Sequence, residues 1–520
     1  MTASLALVPS ACPIPPFRAA YAPDDAELVR ALIAQAKFSP EADARVDAHA
    51  TQLIQAIRAE TGSLGVEEFL REFALSTREG LALMVLAEAL LRVPDAATAD
   101  KLIEDKLSEA QFENHERVSD ALLVSASAWA MGITAKVLKP GDTPMGILGG
   151  TIRRLGRPTV RTAALQAMKV MGHQFVLGQT IEAAIDRAKA KAGKGYRHSY
   201  DMLGEGARTA EGAAHHYESY VAALTKIGKA AGSVGALPNR PGMSVKLSAI
   251  HPRYEATNAD AVMADLVPKM LELCRIAKDY DLNLTIDAEE CDRLELSLDI
   301  FAASLADPSL KGWDGYGLAI QAYQKRARAV VDWVGEAAES LDRRLMVRLV
   351  KGAYWDSEVK RAQERGLADY PVFTRKAATD LSYLACARRL MQLRPRIYPQ
   401  FASHNALSVA FVRELGRESW SDRDPGYEFQ KLHGMGDALY KPVVECDGIP
   451  CRIYAPAGSH RDLLAYLVRR LLENGANSSF VANVGDLEIP VADLLVRPDV
   501  GLGNGARARH GRLPLPVDLY

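Results

Sequence analysis

Residues Leu345 to Gly352 read L-M-V-R-L-V-K-G. Aliphatic residues dominate the run, one arginine interrupts it at Arg348, and Lys351 and Gly352 close it. A short apolar run of this kind, bounded by a turn residue and lacking helical period, reads as a strand buried on both faces. Seven further runs share the character. They are Y-R-H-S-Y-D-M-L (Tyr196 to Leu203), M-S-V-K-L-S (Met243 to Ser248), L-N-L-T-I-D (Leu282 to Asp287) and G-L-A-I-Q-A-Y (Gly317 to Tyr323) before it. Q-F-A-S-H (Gln400 to His404), Y-E-F-Q-K-L-H-G (Tyr427 to Gly434) and C-R-I-Y-A-P (Cys451 to Pro456) follow it. Each is followed by a helix or helical turn, and eight strand–helix repeats favour a closed parallel (βα)8 barrel over an open sheet.

The sequence on either side has a different texture. Met1 to Pro23 is rich in Pro and Ala and reads as an extended arm. From Asp24 to about Leu138 the period is helical, with Leu28, Leu32 and Ile33 on one face and Leu81, Leu83, Leu86 and Leu90 on another. The segment Lys139 to Pro158 breaks that pattern and is the linker candidate, and Arg161 to Ala192 is helical again. The expected organisation is therefore an arm at 1–23, a helical domain at 24–138, a linker with helices at 139–192, an α/β barrel at 193–475 and a C-terminal tail at 476–520. The tail is Pro- and Gly-rich and shows no core-forming pattern.

A chain of 520 residues is long enough for two or three domains, and 48% hydrophobic with 25% charged residues describes a globular protein. The formal net charge of -2 supplies no general attraction to nucleic acid. Six scattered cysteines suggest neither a disulfide framework nor a metal site, so a cytoplasmic location is expected. No secretory leader is expected, and the longest apolar stretch, Ala121 to Ile133, is too short to span a bilayer. Membrane contact would be peripheral.

In a barrel of this type chemistry collects at the C-terminal ends of the strands. Those ends carry Lys246, Asp287, Gln321, Arg348 with Lys351, His404, Gln430 and Tyr454. A Lys246–Asp287 ion pair that merely fills the barrel is the bland alternative, but polar groups of both signs from nearly every strand point to a site. Beyond the last strand, Tyr466, Arg469, Arg470 and Glu473 share one helical face, where two guanidinium forks can grip a carboxylate. Gly352 allows close backbone approach to a planar group, Trp355 can pack on one, and Arg348 can place positive charge beside an electron-accepting nitrogen. With no Gly-rich phosphate loop, a phosphorylated cofactor would be held by Thr374, Lys376, Ser403 and His404.

The runs R-L-V-K-G-A-Y-W-D-S-E (from Arg348), Q-A-Y-Q-K-R (Gln321 to Arg326), F-A-S-H-N (Phe401 to Asn405) and Y-L-V-R-R-L-L-E-N-G-A-N (Tyr466 to Asn477) resemble the proline dehydrogenase part of the bifunctional flavoenzyme proline utilization A. That resemblance covers the whole chain. It implies a distorted (βα)8 TIM-like barrel holding FAD noncovalently, which oxidises L-proline to Δ1-pyrroline-5-carboxylate by hydride transfer to the flavin N5. It implies that Arg469, Arg470 and Lys246 hold the proline carboxylate, that Tyr454, Tyr466, Leu432, Ala353 and Tyr354 enclose its ring, and that Asp287 orients Lys246. Glu205 would pair with Arg469 as a gate. For the flavin it implicates Gln321, Arg348, Val350, Gly352, Trp355, Thr374, Lys376, His404 and Glu473, with Ser403 and Gln430 added from their places at strand ends. A membrane quinone as electron acceptor is expected, hence a peripheral encounter at the inner face of the membrane. The family's bifunctional members continue into an aldehyde dehydrogenase half, expected in a full-length enzyme. Some begin with a ribbon-helix-helix DNA-binding module, which this sequence does not display. Two rival readings are a Schiff-base aldolase with Lys246 as the amine nucleophile and a scaffold whose helical domain recruits partners.

Overall fold

The computed structural model describes residues 12–59, 175–191, 193–417, 425–458 and 480–519. Most of the expected helical domain, the Lys139 to Pro158 linker, and Tyr466, Arg469, Arg470 and Glu473 lie outside them. Eight strands close in chain order into a parallel barrel: β1 (Tyr196–Met202), β2 (Gly242–Val245), β3 (Asn283–Ile286), β4 (Tyr316–Gln321), β5 (Leu345–Val350), β6 (Ile397–Ala402), β7 (Glu428–Leu432) and β8 (Cys451–Ala457). The closing seam is the longest, running from Tyr196 opposite Cys451 to Met202 opposite Ala457. Where β4 meets β5 the backbones come so close that a Cβ on Gly317 would fall 1.7 Å from the Met346 carbonyl oxygen, so no other residue fits there.

The described part of the chain opens with α1 (Asp25–Ala36) and α2 (Pro40–Ala59). The face α1 buries is Asp25, Val29, Leu32 and Ala36, at i, i+4, i+7 and i+11, with Leu28 and Ile33 on its flanks. Asp24 caps the helix by accepting from the N–H groups of Ala26 and Glu27. α3 (Ile181–Ala188) leads into β1. Around the barrel follow α4 (Ala210–Ala231), α5 (Ala259–Asp279), α6 (Leu294–Leu305), α7 (Ala327–Ser340), α8 (Trp355–Glu364), α9 (Lys376–Gln392), α10 (Ala406–Arg417) and α11 (Asp437–Glu445). Among the described residues no helix is long and apolar enough to cross a membrane. All six cysteines are unpaired.

Three expectations need correction. The second strand ends at Val245, because Leu247–Ile250 turns into one helical turn immediately after Lys246. The sixth strand begins at Ile397, three residues earlier than expected, and contains Pro399. Its pairing with β7 starts only at Gln400, so Pro399 belongs to the ladder with β5 alone. The tail, finally, is part of the core: Leu502 is fully buried, and Phe480 and Ala508 are buried with it. Arg58 of α2 donates to the carbonyls of Val484 (2.9 Å), Asp486 (3.1 Å) and Ile489 (2.7 Å), and Arg375 donates to those of Gly501 (3.2 Å) and Arg507 (2.7 Å). Replacing Leu502 with Ala should therefore cost about 2–5 kcal/mol of stability, read as a lower denaturation midpoint; a midpoint within about 0.5 kcal/mol of the parent would make the tail an appendage.

Candidate active site in the barrel mouth

Period-2 alternation turns Ser199 and Asp201 of β1 to the same side, and likewise Gln400 and Ala402 of β6, Gln430 and Leu432 of β7, and Arg452 and Tyr454 of β8. Register places Asp201 opposite Ser244, Ala319 opposite Arg348, Arg348 opposite Gln400 and Leu432 opposite Tyr454. At the strand starts these polar side chains form a floor. Arg452, fully buried, binds Glu428 and donates to the carbonyls of Pro238 (2.8 Å) and Arg240 (3.1 Å), while Gln400 donates to Glu428 at 2.6 Å. Arg452 and Arg197 hold Glu428 below the usual carboxylate range in spite of its burial.

At the strand ends four charges meet. Lys246 Nζ donates to Asp201 Oδ1 at 2.6 Å and lies 3.4 Å from Asp287 Oδ2. Arg348 Nη1 donates to Asp287 Oδ1 at 2.5 Å, and its Nη2 to the hydroxyls of Ser244 (2.9 Å) and Ser199 (3.2 Å). Tyr454 Oη donates to Asp287 Oδ2 at 2.7 Å and accepts from Lys246 Nζ at 3.3 Å, with the Arg348 guanidinium 5.1 Å from its ring centre. Two carboxylates and two cations, all buried, balance formally to zero. The expected Lys246–Asp287 pair exists, but it is the longer contact; the nearer acid is Asp201.

Burial pushes Asp201 up, against the pull of Lys246. Burial also raises Asp287, yet the Arg348 and Lys246 charges outweigh it and leave that carboxyl below its ordinary value. For Lys246 burial works toward the neutral amine, but Asp201, Tyr454 and Asp287 overcome it and the ammonium is held well above its ordinary range. A Schiff-base nucleophile must be a free amine, so the aldolase reading loses its nucleophile at neutral pH.

Beside this cluster opens a cavity of about 660 Å³, within the span of small-molecule and cofactor sites. Lys246, Asp287, Gln321, Arg348, Val350, Gly352, Ala353, Tyr354, Trp355, Thr374, Lys376, Ser403, His404, Gln430, Leu432 and Tyr454 all line it. Glu205 does not; it sits partly buried in the loop after β1, where Gly206 and Ala207 donate to Ser248. Gly352 has φ 133°, and a Cβ there would meet the Tyr323 ring at 2.4 Å, so in this structure the close approach that requires glycine is to Tyr323. Trp355 opens α8 with its indole N–H on the Phe373 carbonyl (2.8 Å) and remains 38% exposed. The backbone N–H of Leu432 donates to His404 Nε2, which makes that nitrogen an acceptor. Lys376 and Lys351 both bind Asp380, each at 2.5 Å. Two buried donors, Arg348 Nε and Gln430 Nε2, have no hydrogen-bond partner among the described residues.

Sequence reasoning missed Asp201, Ser199 and Ser244, although Asp201 lies near the end of a recognised strand, the same signal that selected its neighbours. It also missed Phe480 and His510, which bring the tail into the cavity wall; the His510 backbone N–H donates to Thr374 Oγ1 at 3.0 Å.

The family model described as Proline dehydrogenase matches residues 184–483, the barrel and its surroundings. The chain belongs to the proline dehydrogenase family. Membership makes it one of a family of oxidoreductases. A second model, "Proline utilization A proline dehydrogenase N-terminal domain", matches 17–58, and a third, "DNA-binding domain of Proline dehydrogenase", matches 65–175. That third stretch lies largely outside the described residues, and the match leaves the expectation of a chain without a DNA-binding module unsupported. The chain is 46% identical over 520 residues to the bifunctional protein PutA of Salmonella typhimurium, covering 96% of this chain but only 39% of that protein. It is 28% identical over 327 residues to the proline dehydrogenase of Deinococcus radiodurans, covering 62% of this chain and 93% of that one. A solved structure of proline utilization A from Bradyrhizobium japonicum is 61% identical, with a TM-score of 0.76, covering 97% of this chain and 51% of that one.

Proposed function

We propose that the cavity takes FAD and L-proline together and that the chain oxidises L-proline to Δ1-pyrroline-5-carboxylate, the first step of proline catabolism, passing electrons to a membrane quinone. The observation that carries this reading is the juxtaposition of a lysine held cationic with a cavity whose wall offers an exposed indole and buried donors that find no acceptor among the described residues. A flavin suits those residues: Arg348 Nε and Gln430 Nε2 await acceptors, and Trp355 offers a flat face. We assign Gln321, Val350, Gly352, Thr374, Lys376, Ser403, His404 and Glu473 to the same group.

A bound flavin would supply the two-electron acceptor for the hydride that leaves the substrate carbon. The chain's own residues position the donor. Lys246, Arg469 and Arg470 hold the carboxylate, and Tyr454, Tyr466, Leu432, Ala353 and Tyr354 wall the ring, so that binding converts an encounter into a fixed approach. Cations around the substrate nitrogen favour its neutral amine, the form able to release electrons. Asp287 fixes Arg348 and Tyr454, and Arg348 offsets negative charge arriving on the acceptor. Glu205 closes the entrance.

We place the protein in the cytoplasm with a peripheral membrane contact, and an aldehyde dehydrogenase half in the full-length enzyme. We propose no nucleic-acid partner, on the formal net charge of -2; a low-salt mobility-shift assay with duplex DNA should show no complex.

The deciding experiment is an anaerobic absorption spectrum of the purified protein titrated with proline. Bleaching of a flavin band supports the reading; a colourless protein, or a flavin band that proline leaves unchanged, overturns it. Replacing Arg469 or Arg470 with Met should raise KM for proline roughly ten- to a hundredfold, the worth of a charged hydrogen bond, with flavin content retained. Loss of the flavin instead would reassign those arginines.

A further inference from the structure

We infer that Asp201 is a positioning residue that keeps two buried cations apart, so that Lys246 serves the substrate carboxylate while Arg348 serves the electron acceptor. The inference rests on the reading of Lys246 as a carboxylate anchor. Asp201 is the next-to-last residue of β1, 1% exposed, and is adjacent in register to the strand that delivers Lys246. Lys246 faces Asp201 from β1, Tyr220 from α4, Asp287 from β3 and Tyr454 from β8, with Arg348 of β5 beyond them.

Among these neighbours only Asp201 and Asp287 can balance the ammonium, and Asp287 is already engaged. Its Oδ1 accepts from Arg348 and its Oδ2 from Tyr454 at 2.7 Å, so Lys246 reaches it only at 3.4 Å. Asp201 also feels the Tyr454 hydroxyl, yet it is the nearer acid and takes Lys246 at 2.6 Å. Without its charge, Lys246 either displaces Tyr454 from Asp287, drawing the ammonium toward Arg348, or gives up its proton to relieve burial. Both outcomes weaken carboxylate binding while leaving the acceptor's neighbours in place. An acid at this position therefore divides the work: Asp201 holds one cation, Asp287 the other.

The test uses the purified holoenzyme. Asp201→Asn should raise KM for proline ten- to a hundredfold with kcat changed only a fewfold and bound flavin unaltered. KM should also begin to rise at lower pH than in the parent, whose profile stays flat there, because Lys246 gives up its proton more readily without that acid. Binding of cyclopentanecarboxylate, which cannot be oxidised, should weaken in parallel. Asp201→Glu returns the charge and should return the flat profile. A parental KM and pH profile in Asp201→Asn, or a fall confined to kcat, overturns the proposal.

If Asp201→Asn does not fold, Asp201→Asn/Lys246→Met, which removes both charges, keeps the question open to measurement. Its proline KM should equal that of Lys246→Met alone, and a further rise overturns the inference. Should Lys246→Met itself leave KM unchanged, the anchor reading falls and this inference with it. Should Lys246→Met raise KM while Asp201→Asn does not, only the inference falls.

Discussion

An Asp287→Ala variant will lose about 3–5 kcal/mol of stability, the usual consequence of deleting one partner of a buried ion pair. Asp287 carries more than one partner: Arg348 at 2.5 Å, Tyr454 at 2.7 Å and Lys246 at 3.4 Å all converge on its two oxygens. Arg348 is only 2% exposed, and its Nε has no partner among the described residues, so the cation left behind is poorly compensated for the lost carboxylate. The double variant Asp287→Ala/Arg348→Met removes the stranded charge and should regain part of the loss, because an apolar side chain of similar length tolerates the site. Chemical denaturation of the flavin-free protein measures both. The sign with pH also follows. Arg348 and Lys246 lower the carboxyl in the folded state, so its contribution is present above the ordinary aspartate value and fades as pH falls through the depressed one. Acid should then narrow the gap between parent and variant. A gap that widens in acid would mean that some other carboxylate carries the effect.

The same alternation that makes the strands readable also conceals which polar residues are chemical. Gln400, Glu428 and Arg452 have the composition of a site and are in fact the barrel floor, satisfied entirely within the protein apart from Gln400 Oε1. Gln430 and Tyr454 lie two residues further along the same strands and face the cavity. What separates the groups is distance along the strand, and that depends on where each strand starts. Pro399 hid the start of β6, since proline argues against a strand unless the neighbour's ladder is known to begin after it. Asp201 was legible by the rule that found Asp287, yet the resemblance drew attention to Asp287 as the partner of Lys246. The tail was not legible for a different reason. It is fastened through its backbone carbonyls to Arg58 and Arg375, and a carbonyl leaves no mark in the order of side chains. Periodic patterns report only the side-chain half of packing.

Lys246→Met should lower kcat/KM for proline roughly a hundred- to a thousandfold, or about 3–4 kcal/mol, within the range for truncating one member of a buried charge pair. The fold should survive. Methionine nearly matches the lysine stem in volume, and Asp201, already raised by burial, can take up a proton once its partner is gone and so avoid an isolated buried charge. Arg348 keeps its carboxylate and both serine hydroxyls, which predicts that flavin content and visible spectrum stay parental while proline saturation shifts to high concentration. Circular dichroism, the flavin spectrum and steady-state kinetics on one preparation separate the possibilities. A collapsed fold would make the lysine a structural plug of the kind seen at the barrel floor. Intact fold, intact flavin and unchanged kcat/KM would remove Lys246 from substrate binding. Because Lys246 remains charged in the parent, its contribution should fade in the parent only at strongly alkaline pH, where the ammonium finally titrates, and a parent whose proline KM already climbs at neutral pH would contradict the tight Asp201–Lys246 pair on which that protonation depends.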